Sequence, residues 1–127
     1  KSQLKIQNPK LKTQNFASRC AKARGKVIIW AMQITFVGHA CFQIQTGGFK
    51  IITDPYSSQI GYSPVNLGAD IVTLSHDNPK WHSCLDDVRG DFQVVNGLEI
   101  VGETLRAGAI SFEAIEVFEN LPDDGPN

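Results

Sequence analysis

The first 31 residues contain no aspartate or glutamate. With eight Lys and Arg they carry +8, while the other 96 residues set four basic side chains against all 13 acidic ones and carry −9. The formal net charge of −1 is thus a cancellation between two unlike segments, and whole-chain charge says little about partners. Cysteine is scarce: Cys20, Cys41 and Cys84 are odd in number and widely spaced. That excludes a disulfide scaffold and fits free thiols in a reducing compartment, so the chain reads as cytoplasmic. Long apolar runs are absent too. The longest, Val27 to Met32, falls far short of the roughly 20 residues that cross a bilayer, so no membrane span is expected. A length of 127 residues excludes a two-domain enzyme, and 42% apolar content suffices for one modest core.

What remains is organised in two parts. Residues 1–31 are rich in Lys, Gln, Asn and Ser without sustained apolar periodicity, and read as a basic unstructured leader: a tag, a targeting segment or upstream sequence. The sole methionine, Met32, directly precedes the first patterned strand, so the folded unit is expected over 32–127. There, Gln33–Val37, Cys41–Thr46 and Phe49–Thr53 read as a three-stranded meander, with Gly47-Gly48 as a hairpin turn and Asp54-Pro55 as its stop. A long loop from Tyr56 to Ala69 follows; loops of that length in compact domains are usually functional or mobile. Asp70–Ser75 reads as a buried strand and Ser83–Arg89 as a short helix with Ser83 as N-cap, ended by Gly90. Further strands are expected at Phe92–Val95, Glu99–Val101, Thr104–Arg106 and Ile110–Phe118. Strands with an intervening helix indicate α/β or α+β layering.

Chemistry concentrates after the strand Asp70–Ser75, in His76-Asp77-Asn78-Pro79-Lys80-Trp81-His82, which holds two of the three histidines. A buried strand opening onto such a loop places those side chains at the carboxyl edge of a sheet, where sites in layered α/β proteins form. Metal binding and acid/base chemistry both suit the residue types. A polar loop with a partly stacked Trp81 is the plain structural alternative. Cys41, inside an alternating strand, reads as a buried inert thiol, and Gly47-Gly48 is a turn rather than a phosphate loop.

Three runs, Ile34-Thr35-Phe36-Val37-Gly38-His39-Ala40-Cys41-Phe42, then Ile51-Ile52-Thr53-Asp54-Pro55, then Ala69 to Asp77, together resemble the opening of a metallo-β-lactamase-fold hydrolase. The resemblance is to the ascorbate-6-phosphate-lactonase-like, Zn-dependent hydrolase branch, and it covers Met32 to Asn127, about the first half of a family domain. It implies an αββα sandwich, of which this chain is the strand-rich N-terminal portion. It also implies a site at the sheet edge where an H-x-H-x-D-H motif holds one or two zinc, iron or manganese ions and a bridging hydroxide attacks the substrate.

Carried onto this chain, the motif is incomplete. His76 falls on its first His and Asn78 on its second; Lys80 stands where the Asp would be and Trp81 where the last His would be, with His82 one place late. Glu119 lies where a further ligand is expected. The resemblance therefore implies His76, Asn78, His82 and Glu119 as candidate metal ligands, one zinc (or manganese or iron) ion at most, and Asp54 and Asp77 as candidate catalytic carboxylates. Asp54 would orient a metal-binding His; an Asx turn with Pro55 is its structural alternative. His39 is expected to be hydrogen-bonded beneath a strand end.

The leading function is a metal-dependent hydrolase of a small-molecule ester, lactone or phosphoester, with a degenerate or incomplete site. The alternative is a catalytically silent member of the fold serving binding or assembly, favoured by Asn78, Lys80 and Trp81. Nucleic-acid binding by the leader is the weakest reading, since it has charge but only Phe16 and Trp30 for stacking. Self-association as a homo-oligomer is left open.

Overall fold

The computed structural model describes residues 32–117. The leader 1–31, the position of Glu119 and the end of the chain lie outside the described residues. Strands β1 (Gln33–Gly38), β2 (Cys41–Thr46) and β3 (Phe49–Thr53) form the expected antiparallel meander, with Ile34 opposite Ile44 and Ile44 opposite Ile51. Gly47 and Gly48 take φ of 57° and 84° at its second turn. Two successive left-handed residues give the turn whose twist matches flanking strands, and glycine adopts them without steric cost.

Strands β4 (Ile71–Leu74) and β5 (Gln93–Asn96) then add in parallel, giving one mixed sheet in the order β1-β2-β3-β4-β5. Strands β6 (Thr104–Ala107) and β7 (Ile110–Glu113) form a separate hairpin. Consecutive residues of a strand point to opposite faces, so β3 feeds two apolar clusters. Ile51 joins Phe49, Ile71, Val95, Ile100 and Ala107, against which Leu105, Ile110 and Phe112 of the hairpin pack. Ile52 joins Cys41, Tyr56, Val65, Ala69, Val72 and Val88, so the loop after β3 and the segment before β5 cover that side.

The helix expected at Ser83–Arg89 does not form. Its backbone donors pair elsewhere: the N–H of Cys84 donates to the Pro55 carbonyl (2.8 Å) and that of Arg89 to the Leu67 carbonyl (2.9 Å), while Arg89 also bridges Gly68. A helix of under two turns gains few hydrogen bonds for its nucleation cost, so these long-range partners win. The buried Ser83 hydroxyl, expected as a cap, has no hydrogen-bond partner among the described residues. Only 3-10 turns occur there, at Ser58–Ile60 and Gly97–Glu99. The latter takes up the start of the expected strand Glu99–Val101, of which Val101 makes one isolated bridge to Ala114; the last strand stops at Glu113. The described part is thus a mixed sheet faced by a hairpin and loops, without the helical layers of an αββα sandwich. No helix among the described residues is long and apolar enough to cross a membrane.

Candidate functional site

Strand directions decide which residues meet. β1 and β2 are antiparallel, as are β2 and β3, while β3, β4 and β5 are parallel. Strands β1, β3, β4 and β5 therefore all end at the same edge of the sheet. That edge collects Gly38-His39, Thr53-Asp54, Leu74-Ser75-His76 and Asn96-Gly97, as expected where sites form in such sheets.

Thr53 fastens the first of these ends to the second. Its hydroxyl donates to the Ala40 carbonyl (3.0 Å) and accepts from the Phe42 N–H (3.0 Å). The β1–β2 register shifts between Phe36 and Gly38, an irregularity of the kind that re-aims side chains beside sites. His39 follows with φ of 51° and Asp54 has φ of 39°, in the left-handed region that Asp and His visit more readily than most residues but still at some cost.

Asp54 is turned toward β4. Its N–H donates to the Thr73 carbonyl (2.9 Å), and its Oδ1 accepts from both the N–H (2.7 Å) and the hydroxyl (2.9 Å) of Ser75. The Ser75 Oγ lies 2.7 Å from His76 Nδ1. Asp54 thus reaches His76 through one intervening hydroxyl. The His76 ring stacks on His82, with centroids 4.3 Å apart and 25° between planes. His82 also meets His39 at 5.0 Å, and His39 meets Trp81 at 5.1 Å.

His82 is brought back toward His76 by a tight turn. The Asn78 carbonyl accepts from the N–H groups of Trp81, His82 and Ser83, and its side-chain Oδ1 from those of Lys80 (3.2 Å) and Trp81 (3.3 Å). Ser57 N–H to the Lys80 carbonyl (3.0 Å) ties the turn to the loop after β3. Lys80 holds its ammonium 5.5 Å from the Trp81 ring centroid, a cation–π contact.

Of the sequence candidates, Asp54, His76 and His82 are drawn together, Asn78 serves as the turn's acceptor, and Asp77 is solvent-exposed. Glu119 lies outside the described residues. His39 was expected beneath a strand end; it is instead exposed and packed on His82 and Trp81. Strand direction was the signal that could have found it, since β1 and β3 of a meander end at the same edge.

Cys41 is fully buried, and burial, with the Asp54 charge as a lesser cause, pushes its thiol from the ordinary 9.0 to about 12. It is no nucleophile at neutral pH. Among the described residues no group of three or more His, Cys, Asp or Glu side chains is placed to hold a metal ion. Catalytic zinc takes three protein ligands, so two stacked imidazoles fall short of a complete centre, and a two-ion centre fits still less.

Residues 33–125 match the family described as Beta-lactamase superfamily domain, and the chain belongs to that family. It is similar to a UPF0173 metal-dependent hydrolase of Aeropyrum pernix, 38% identical over 50 residues that cover 36% of this chain and 20% of that protein. It is also similar, at 28% identity and a TM-score of 0.48, to a solved structure from Thermotoga maritima described as a candidate Zn-dependent hydrolase of the metallo-beta-lactamase superfamily. That match covers 74% of this chain and 40% of the other. The chain therefore spans well under half the length of either relative.

Proposed function

We propose that the chain is part of a metal-dependent hydrolase of the metallo-beta-lactamase superfamily, acting on a small-molecule ester, lactone or phosphoester, within an αββα domain. Its share of the active site is the imidazole pair His76 and His82, with Asp54 behind His76. One observation carries this reading: Asp54 and all three histidines of the chain meet at the carboxyl edge of the sheet, in a family whose relative is described as metal-dependent.

That relative's description implies a metal cofactor; zinc or iron would suit imidazole donors, whereas manganese would call for more oxygen ligands. With two imidazoles adjacent, an amide at Asn78 and a cation at Lys80, one ion per chain is the most this proposal allows. A second reading, a catalytically silent member, is favoured by the same turn, since the Asn78 Oδ1 is engaged by two N–H groups. Elemental analysis of the full chain after zinc loading, with His76→Ala alongside, separates the two. Up to one equivalent, lost in the variant, is expected of the hydrolase; below about 0.1 equivalent, the silent reading takes its place.

A further inference from the structure

Ser75 sits between two functional candidates and is assigned no role by the motif. Its hydroxyl has one proton and two neighbours, Asp54 Oδ1 at 2.9 Å and His76 Nδ1 at 2.7 Å. Only one assignment satisfies both contacts when Asp54 is ionised. An ionised carboxylate is an acceptor only, so the Ser75 proton goes to Asp54, and the oxygen must accept from an N–H on Nδ1. The opposite tautomer, with Ser75 donating to a bare Nδ1, would leave the serine and carboxylate oxygens in contact with no proton between them.

We propose that Ser75 is the positioning residue of this site: through the chain Asp54···Ser75···His76 it holds the His76 proton on Nδ1 and puts the ring's lone pair on Nε2. A hydrogen bond at one ring nitrogen settles what the other can do. Nε2 would then be the nitrogen directed to a metal ion. That consequence rests on the hydrolase reading; the tautomer itself does not.

The geometry also separates this role from a structural one. Asp54 Oδ1 accepts from the Ser75 backbone N–H at 2.7 Å as well. Ser75→Ala therefore keeps the backbone bond between Ser75 and Asp54 and removes the hydroxyl's two contacts, to Asp54 and to the ring. Ser75→Thr keeps both.

The test is long-range proton–nitrogen NMR of the imidazoles in the full chain, recorded at alkaline pH with chelator present. In the parent chain His76 is expected to show protonated Nδ1 and unprotonated Nε2. Ser75→Ala is expected to lose that signature in favour of Nε2–H, and Ser75→Thr to retain it, while His39 and His82 signals report an intact cluster in each. A parent His76 with Nε2–H, or an unchanged signature in Ser75→Ala, overturns the proposal. Zinc added afterwards reads the other question: no shift at His76 in a chain with the expected tautomer would remove the hydrolase reading and leave the Ser75 assignment standing.

Discussion

His39 and His82 pack against one another at the carboxyl edge of the sheet, ring centroids 5.0 Å apart and tilted by 55°. One follows the first strand and the other ends the turn beyond the fourth, so their meeting depends on the whole meander and on the Asn78 turn. His82 contacts His76 as well, which makes it the middle member of the cluster.

Replacing that middle member should be felt on both sides. His82→Ala is expected to shift the NMR signals of His39 and His76 together and to lower stability in urea by about 0.5–1.5 kcal/mol, the usual worth of an aromatic pair. A shift at only one of the two rings would show that the cluster is not shared.

The approach of β1 to the loop after β3 depends on Gly38. A Cβ there would stand 2.8 Å from the Tyr56 hydroxyl and 2.9 Å from Tyr62 Cδ1, and Tyr56 is 1% exposed with its hydroxyl donating to the Ser63 carbonyl (3.0 Å). Gly38→Ala should cost about 1–3 kcal/mol through overpacking, measured by chemical denaturation, and should displace His39 in the NMR spectrum. Gly48→Ala is the comparison for pure backbone strain: its φ of 84° resists a side chain, but nothing lies within 4 Å of the new Cβ.

Cys41 should make stability fall at high pH. Burial holds its thiol neutral to about 12 against 9.0 ordinarily, so between those values the unfolded chain releases a proton that the folded chain retains. Its contribution is complete below about pH 9 and is lost as pH rises toward about 12. Tyr56, raised in the same direction chiefly by burial, adds to the effect. Urea midpoints across this range should fall less steeply for Cys41→Ala than for the parent chain. Equal slopes would mean that Cys41 is not buried as described.

The same residues show how far the sequence could be read. Alternation in Cys41–Thr46 and the Gly47-Gly48 pair made the meander legible, because both signals are local. The strand end at Asp70–Ser75 is legible for the same reason, whereas Asp54 is marked only by the family resemblance. The absence of the expected helix at Ser83–Arg89 turns on carbonyls supplied by Pro55 and Leu67, far away in the chain. Ser75 is not marked by any local signal, because only parallel pairing sets the end of β4 beside the end of β3. The surroundings of His39 depend on the same assembly of strands.

The turn at Asn78 to Trp81, where the sequence departs from the motif that the resemblance implies, can be tested by substitution. Asn78→Ala should loosen the turn by about 1 kcal/mol, since two N–H groups lose their side-chain acceptor. The triple variant Asn78→His, Lys80→Asp, Trp81→His supplies imidazoles and a carboxylate where the family motif has them, and should bind zinc more tightly than the parent in a competition assay with a chelating dye. No gain would mean that the turn, rather than ligand identity, limits the site.

On the proposed function, His76 and His82 are the donor pair of a hydrolase-type site. A zinc titration of the full chain, followed by imidazole nitrogen NMR with stoichiometry read in parallel, tests it most directly. Shifts are expected at Nε2 of His76 and at the His82 ring, saturating at no more than one ion per chain and vanishing in His76→Ala. Two ions per chain, or saturable binding that leaves His76 unshifted and survives His76→Ala, would contradict it.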